Sequence, residues 1–305
     1  MNTISIRFFI HFQFIIRSEV LKNLVLAGVR AAICDGRPYP SSLSRTPTSF
    51  LPPWERNCHG VEGNGTAVAQ AMKPQVEELN PLLGECEVCD TPVDDLSLEY
   101  LSKFNIVVAS DMGLDQAAKL SEKTVNVGGK FFFVHCFGLF GCAMVDLGVG
   151  HKFRREVGKD KLSEVEQLFP HTPLNKMVRL KLCNVKDRWH KDGPPKVWAA
   201  FKSIAKYRDE HGNWPSNISK SDFVLHTRQF LEKEGMGNEY LGNDLELKQY
   251  AAVAGEEIAP VCAVLGGVLG NEIVKSLSGK GKPANNLLLF DGTDGGCREF
   301  VLRES

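Results

Sequence analysis

A chain of 305 residues, 43% hydrophobic and 24% charged, has the composition of a folded globular protein with material for one large or two small domains. A formal net charge of −1 leaves no electrostatic footprint for nucleic acid or an anionic membrane. No apolar run approaches the roughly 20 residues that span a bilayer, and nine scattered cysteines do not make a disulfide-built secreted scaffold, so reduced thiols in the cytosol or nucleus are expected.

Residues 1–17 form an atypical N-terminal extension. Phe8, Ile10, Phe12 and Phe14 alternate as in a strand, whereas a signal peptide would want a cleaner apolar core and a small-residue cleavage site. Ser18 reads as a helix N-cap with Glu19 in the first turn. Val20, Leu21, Leu24 and Ala27 supply an apolar stripe, and Gly28 ends the helix. Val29 to Cys34 reads as a short buried strand with Asp35 at its carboxyl end, followed by a Pro/Ser/Thr/Gly-rich loop from Gly36 to Gly65. Thr66 to Leu79 has helical spacing around Pro74, closed by Asn80-Pro81. A strand at Glu85–Thr91, a helical turn at Leu96–Lys103, a buried strand at Phe104–Ala109 and a helix at Asp111–Lys123 follow. Lys130–Cys136 reads as another apolar strand, and Phe137 to Gly141 as a hairpin leading into Cys142–Leu147. This alternation predicts a mostly parallel α/β sheet. From Gly150 to about Gly242 charge becomes frequent, with amphipathic helices at Val197–Tyr207 and Ser221–Glu234. The α/β pattern then returns, with a small-residue-rich helix at Ile258–Leu277 and strands at Asn286–Asp291 and Glu299–Leu302.

Few residues announce chemistry. Cys86-x-x-Cys89 lacks the second pair that a structural zinc site usually needs, so ordinary strand cysteines are the simpler reading and no metal is expected. Cys58-His59 is only a neighbouring pair in a loop. Cys183 has basic neighbours in Arg179-Leu180-Lys181-Leu182-Cys183, but in a strand these side chains form plain surface as readily as a nucleophile site. Cys262 sits in an apolar stretch that suits burial. Gly60-x-x-Gly63-x-Gly65 does not follow a strand directly and is a weak dinucleotide fingerprint. Gly266-Gly267 and Gly270, inside a helix, each cost about 1 kcal/mol against alanine, which points to close backbone approach. Asp35 and Asp111 stand at strand ends, where an acidic residue either meets a ribose or metal–phosphate group or serves as a cap.

Taken together, these segments resemble the ThiF-type, Rossmann-like adenylation fold of the ubiquitin-like-modifier activating enzymes, and more narrowly the small, regulatory (Aos-type) subunits of SUMO-activating heterodimers. The runs that carry the resemblance are Glu19 to Val29, Leu79-Asn80-Pro81, Phe104 to Gly141 and Cys183-Asn184-Val185-Lys186. The most specific is Ala259-Pro260-Val261-Cys262-Ala263-Val264-Leu265-Gly266-Gly267, continued by Glu272-Ile273-Val274-Lys275 and Phe290-Asp291-Gly292. The resemblance implies an α/β fold in two parts, 18–150 and 246–305, interrupted by a helical insert at 151–245.

The departures from the family pattern shape the functional expectation. Phe14-Ile15-Ile16-Arg17 stands where the family has a strand and Gly-x-Gly-x-x-Gly, and no glycine precedes Gly28, so the first strand and glycine loop read as lost or replaced. Gly63-Asn64-Gly65-Thr66-Ala67 lacks the basic residues of ATP-using members. An extra N-terminal helix, which in such small subunits supplies an arginine toward the partner's ATP, has no counterpart. The resemblance therefore implies a subunit with no catalytic residue of its own, inactive alone. Mg-ATP would be bound mainly by the large catalytic subunit, with Asp35 and Asp111 as vestigial cofactor residues. SUMO would be the modifier, adenylated at its C-terminal glycine and passed to the partner's cysteine. It further implies a nuclear location and a partner contact at or beside Asn23, Pro260, Cys262, Gly266, Gly267 and Glu272. The competing reading is a free-standing adenylyltransferase for a small sulfur-carrier protein. A dehydrogenase would need the same missing loop.

Overall fold

Continuous apolar runs such as Ile106-Val107-Val108-Ala109 and Phe131-Phe132-Phe133-Val134 belong to strands covered on both faces. A computed structural model describes residues 7–11, 15–35, 67–159, 161–185 and 193–303, and puts those runs in the middle of an eight-stranded sheet. In chain order the elements begin with strand β1 (Arg7–His11), helix α1 (Ile15–Leu26), β2 (Arg30–Cys34), α2 (Val68–Leu79) and β3 (Glu87–Cys89). Next come α3 (Leu98–Leu101), β4 (Ile106–Ala109), α4 (Leu114–Asn126), β5 (Lys130–Phe137) and β6 (Phe140–Asp146). Four short strands, β7 (Lys152–Phe153), β8 (Glu156–Gly158), β9 (Lys161–Leu162) and β10 (Glu166–Gln167), make two small ladders, β7 with β10 and β8 with β9. Helices α5 (Leu174–Arg179), α6 (Lys196–His211), α7 (Lys220–Lys233), α8 (Asp244–Val253) and α9 (Ala259–Ser278) precede the closing strands β11 (Leu287–Asp291) and β12 (Gly296–Phe300).

The sheet order is β12-β11-β6-β5-β4-β1-β2-β3. β3, β2, β1, β4 and β5 run parallel, while β5-β6, β6-β11 and β11-β12 are antiparallel. The sheet is thus mixed: its parallel pairs are in the majority, as expected, and its antiparallel pairs are gathered at one edge. The two-residue connection Gly138-Leu139 between paired Phe137 and Phe140 reverses the chain, as the sequence suggests.

Successive side chains of a strand point to opposite faces, so each central strand feeds two cores. Ile106 and Val108 join Phe132 and Val134 beneath α1 and α9, with Val20, Leu24, Leu265 and Leu269. Val107 and Ala109 join Phe131 and Phe133 beneath α6, with Trp198, Phe201 and Ile204. Helices α3 and α4 and the helices between 174 and 253 together cover this second face of the sheet.

Several local expectations need correction. The first strand is present: β1 lies between β2 and β4, in register from Arg7↔Arg30 to His11↔Cys34, so part of the presumed extension forms the centre of the sheet. Ser18 is not an N-cap but a buried residue within α1, which starts at Ile15. Gly28, at φ +88°, does end the helix, with its N–H donating to the Val25 carbonyl at 3.0 Å. Arg179 to Cys183 is not a strand but the end of α5 and a 3-10 turn. Finally, α9 is long and apolar enough, by length and composition alone, to cross a membrane, contrary to the expectation of no such run; half of it is buried in this fold.

Candidate functional site

In an open α/β sheet the ligand crevice lies at the carboxyl ends of the parallel strands, and a helix N-terminus there attracts anions. In this chain that helix is α1. The Ile16 N–H, at its first turn, donates to Glu257 Oε2 at 3.0 Å. Glu257 comes from the segment before α9, held in place by the Gly138 N–H donating to the Glu256 carbonyl at 2.8 Å. A carboxylate of the chain's own thus occupies the position at which a helix N-terminus attracts a phosphate. Ile15, Ile16 and Arg17 are all buried beside it.

The same arrangement recurs. Asp209 Oδ2 accepts from the Asp115 N–H at the start of α4 (3.3 Å), and Asp146 Oδ2 accepts from the Leu174 N–H at the start of α5 (2.9 Å). Burial works against the ionised form of Asp146, but the His171 ring and the Leu174 and Gly148 amides together hold its carboxyl below the ordinary value. Each of these helix dipoles is satisfied internally.

Asp111 follows β4 directly and holds a positive φ of 54°, unusual for a side chain other than glycine. It is buried and doubly engaged: Arg208 Nη1 donates to its Oδ1 at 2.6 Å, and Trp214 Nε1 donates to the same oxygen at 2.6 Å. The Arg208 guanidinium lies over the Trp214 ring, 4.3 Å from its centroid, and the His135 ring stacks on the same Trp214 ring with centroids 4.1 Å apart. His135 Nε2 lies 2.9 Å from the Ala254 carbonyl, and burial pushes its pKa down to about 4, so the ring is neutral near pH 7. Asp35, at the end of β2, is buried, and its carbonyl accepts from the Ala69 N–H at 3.2 Å, joining the strand to α2. Sequence reasoning identified the two aspartates but not Glu257, Arg208, Trp214 or His135.

Tested against Mg-ATP, these residues do not fit. Among the described residues the α1 N-terminus is bonded to Glu257, and Asp111 is neutralised by Arg208. No group of three or more His, Cys, Asp or Glu side chains could hold a metal among the described residues. The Gly60–Gly65 glycines, Cys58-His59 and Gly63 to Thr66 lie outside the described residues.

The interface candidates separate by face. α9 packs along α1: a Cβ at Gly266 would lie 2.7 Å from Glu19 Cβ, and one at Gly270 would lie 3.2 Å from Asn23 Cβ. Gly266, Gly270 and Asn23 therefore belong to a helix–helix contact within the chain. Cys262 turns inward against Cys136, and Glu272 accepts from the Ala284 N–H at 2.6 Å while pairing with Lys275. Gly267 is different: a Cβ there would meet nothing within 4 Å. Together with Pro260, Ala263, Val264, Asn271 and Val274 it forms an exposed, uncharged face along α9.

Cys183 is exposed in its turn, its N–H donating to the Glu234 carbonyl at 3.2 Å. Cys86 is buried under α2, where burial pushes its thiol up to about 12. A cleft of about 280 Å³ between α5, α6 and α7 is salt-bridged within itself, Lys202 to Glu234 and Lys206 to Asp115 and Glu210.

No family model matches the chain. Curated relatives do. SUMO-activating enzyme subunit 1 of Xenopus tropicalis is 29% identical over 302 residues, covering 90% of this chain and 83% of that one. The protein of the same name from Dictyostelium discoideum is 24% identical over 290 residues, covering 91% and 81%. SUMO-activating enzyme subunit 1B-1 of Arabidopsis thaliana is 27% identical over 283 residues, covering 91% and 83%. Across about nine-tenths of its length, this chain is similar to subunit 1 of SUMO-activating enzymes from animals, an amoeba and a plant, the same resemblance that its sequence motifs carry.

Proposed function

We propose that this chain is the non-catalytic subunit of a heterodimeric SUMO-activating enzyme acting in the nucleus. It supports Mg-ATP-dependent adenylation of the modifier's C-terminal glycine and thioester formation on the large subunit, and does neither alone. The observation that carries this reading is internal occupation of the nucleotide-facing groups: Glu257 on the α1 N-terminus and Arg208 with Trp214 on Asp111. A free-standing adenylyltransferase would need those groups, and a glycine loop, available to phosphate.

The uncharged outward face of α9 supports a protein partner, since depletion of charge marks the centre of an interface. Pro260, Val264 and Gly267 lie on it. The test is reconstitution with the large subunit, reading co-purification and thioester formation. Val264→Asp, on the exposed face, should weaken association at least tenfold while leaving the isolated chain's melting curve unchanged. Cys183→Ala should leave the thioester on the partner intact. Unaltered association of Val264→Asp would remove α9 from the interface, and loss of thioester in folded Cys183→Ala would contradict the non-catalytic assignment.

A further inference from the structure

Strands β2 and β3 at the edge of the sheet bring two thiols together. Cys34 and Cys89 are direct partners in the parallel register, with Ile33↔Val88 and Ala32↔Glu87 below them. Their sulfurs are in hydrogen-bonding contact, and Cys34 Sγ also donates to the Thr91 carbonyl at 3.3 Å. Neighbouring strands lie about 4.8 Å apart, inside the roughly 4.4–6.8 Å Cα separation that a disulfide bridges. The contact therefore needs little backbone movement to become a bond. Both thiols are free in this structure.

The surroundings distinguish the two sulfurs. Cys89 is surrounded by Cys34, Thr91 and Tyr100, whose polar contacts together outweigh burial and bring its thiol down to about 6. Cys34, with Cys89, Asp35 and Asp90 nearby and little exposure, is held well above the ordinary thiol value. Ionisation is thus easier at Cys89 than at Cys34, the division of labour of an attacking and a resolving cysteine. Cys89 lies on the edge strand and is 8% exposed.

We propose that Cys34 and Cys89 form a peroxide-oxidised pair, with Cys89 the residue attacked first and Cys34 the one that resolves it. The Cys89 thiolate displaces hydroxide from a hydroperoxide, breaking the O–O bond and becoming a sulfenic acid, so that sulfur is oxidised and peroxide reduced. The Cys34 sulfur then attacks that sulfenyl sulfur, expelling the hydroxyl group, which leaves as water with the Cys34 proton. The product is a disulfide tying edge strand β3 to β2. This site is separate from the α9 face and from the groups around Asp111, so it stands independently of the subunit assignment.

The experiment treats the purified full-length chain with hydrogen peroxide and maps peptides without reduction. A single cross-link joining Cys34 and Cys89 is expected. Its rate should rise with pH, following the easier ionisation of Cys89. Cys34→Ser should stop at a sulfenic acid on Cys89, trapped by dimedone, and Cys89→Ser should leave Cys34 unmodified. Exposed Cys183 serves as the internal control for the oxidant. Oxidation of Cys183 with no Cys34–Cys89 link in the wild-type chain would overturn the proposal, whatever the serine variants do. So would a wild-type link whose rate ignores pH between 5 and 8. Neither readout involves ATP, SUMO or the large subunit.

Discussion

At Gly266 and Gly267 two neighbouring residues of identical chemistry face opposite demands. Alanine at 266 would press a methyl group to 2.7 Å of Glu19 Cβ, closer than side chains normally approach. Overpacking of this kind costs about 1–3 kcal/mol, more than the 0.5–1 kcal/mol or so that alanine gains over glycine inside a helix. Gly266→Ala should therefore lower the chemical-denaturation midpoint, while Gly267→Ala should leave it equal or higher. A reversed order would mean that α1 and α9 do not pack as described. The sequence flagged both glycines as a close-approach device, but a pair of identical residues carries no mark of which one faces inward. That requires knowing the angle at which α9 crosses α1. His135 offers a second residue-scale check. Burial lowers its folded pKa to about 4, against about 6.5 when unfolded, so the unfolded chain binds the proton first as pH falls. Its contribution is present above pH 6.5 and lost as pH drops toward 4, worth up to about 3 kcal/mol for this one ring. His135→Gln should flatten the stability slope in that window, and an unchanged slope would place the proton elsewhere.

Among the elements, α1 shows how a helix can keep its place while changing its ligand. A carboxylate near a helix N-terminus contributes roughly 0.3–1 kcal/mol, up to about 2 when partly buried. Glu257→Gln keeps an oxygen for the Ile16 amide but removes the charge, and should cost about 1 kcal/mol in urea denaturation. It should not create ATP binding, because the glycine loop is still missing. Nucleotide binding by that variant would show that Glu257 alone blocks the site. Little of this was legible beforehand, since Ile16 and Glu257 are 241 residues apart. By contrast α8 had a readable start: Asn243 accepts from the Leu245 and Glu246 amides, and the Glu246 carboxylate accepts from the Asn243 N–H, a capping box announced by Asn-x-x-Glu. The charged context of that region concealed it. Strand β1 was obscured for the opposite reason. Without glycines behind it, an alternating Phe/Ile run resembles an extension as much as a central strand.

For the whole molecule, strand and helix alternation was legible because buried runs and amphipathic runs differ in period. Strand direction was only partly so. The hairpin at Phe137–Gly141 announced the reversal into β6, but β11 is apolar over most of its length whether its neighbour is parallel or antiparallel, and it gave no warning of the antiparallel pairs on either side of it. The two-sided core is also what leaves the chain's polar groups at the strand ends turned toward one another: Arg208 to Asp111, Trp214 to Asp111, Glu257 to α1. Under the proposed function these groups serve the fold and not a nucleotide, and adenylation needs a second subunit. The most direct measurement is modifier-dependent ATP–pyrophosphate exchange by the purified chain, with and without the large subunit of a SUMO-activating enzyme. For the chain alone, exchange indistinguishable from a no-enzyme control is expected, with exchange appearing when the large subunit is added. Exchange by this chain alone, above that control and dependent on the modifier, would contradict the proposed function.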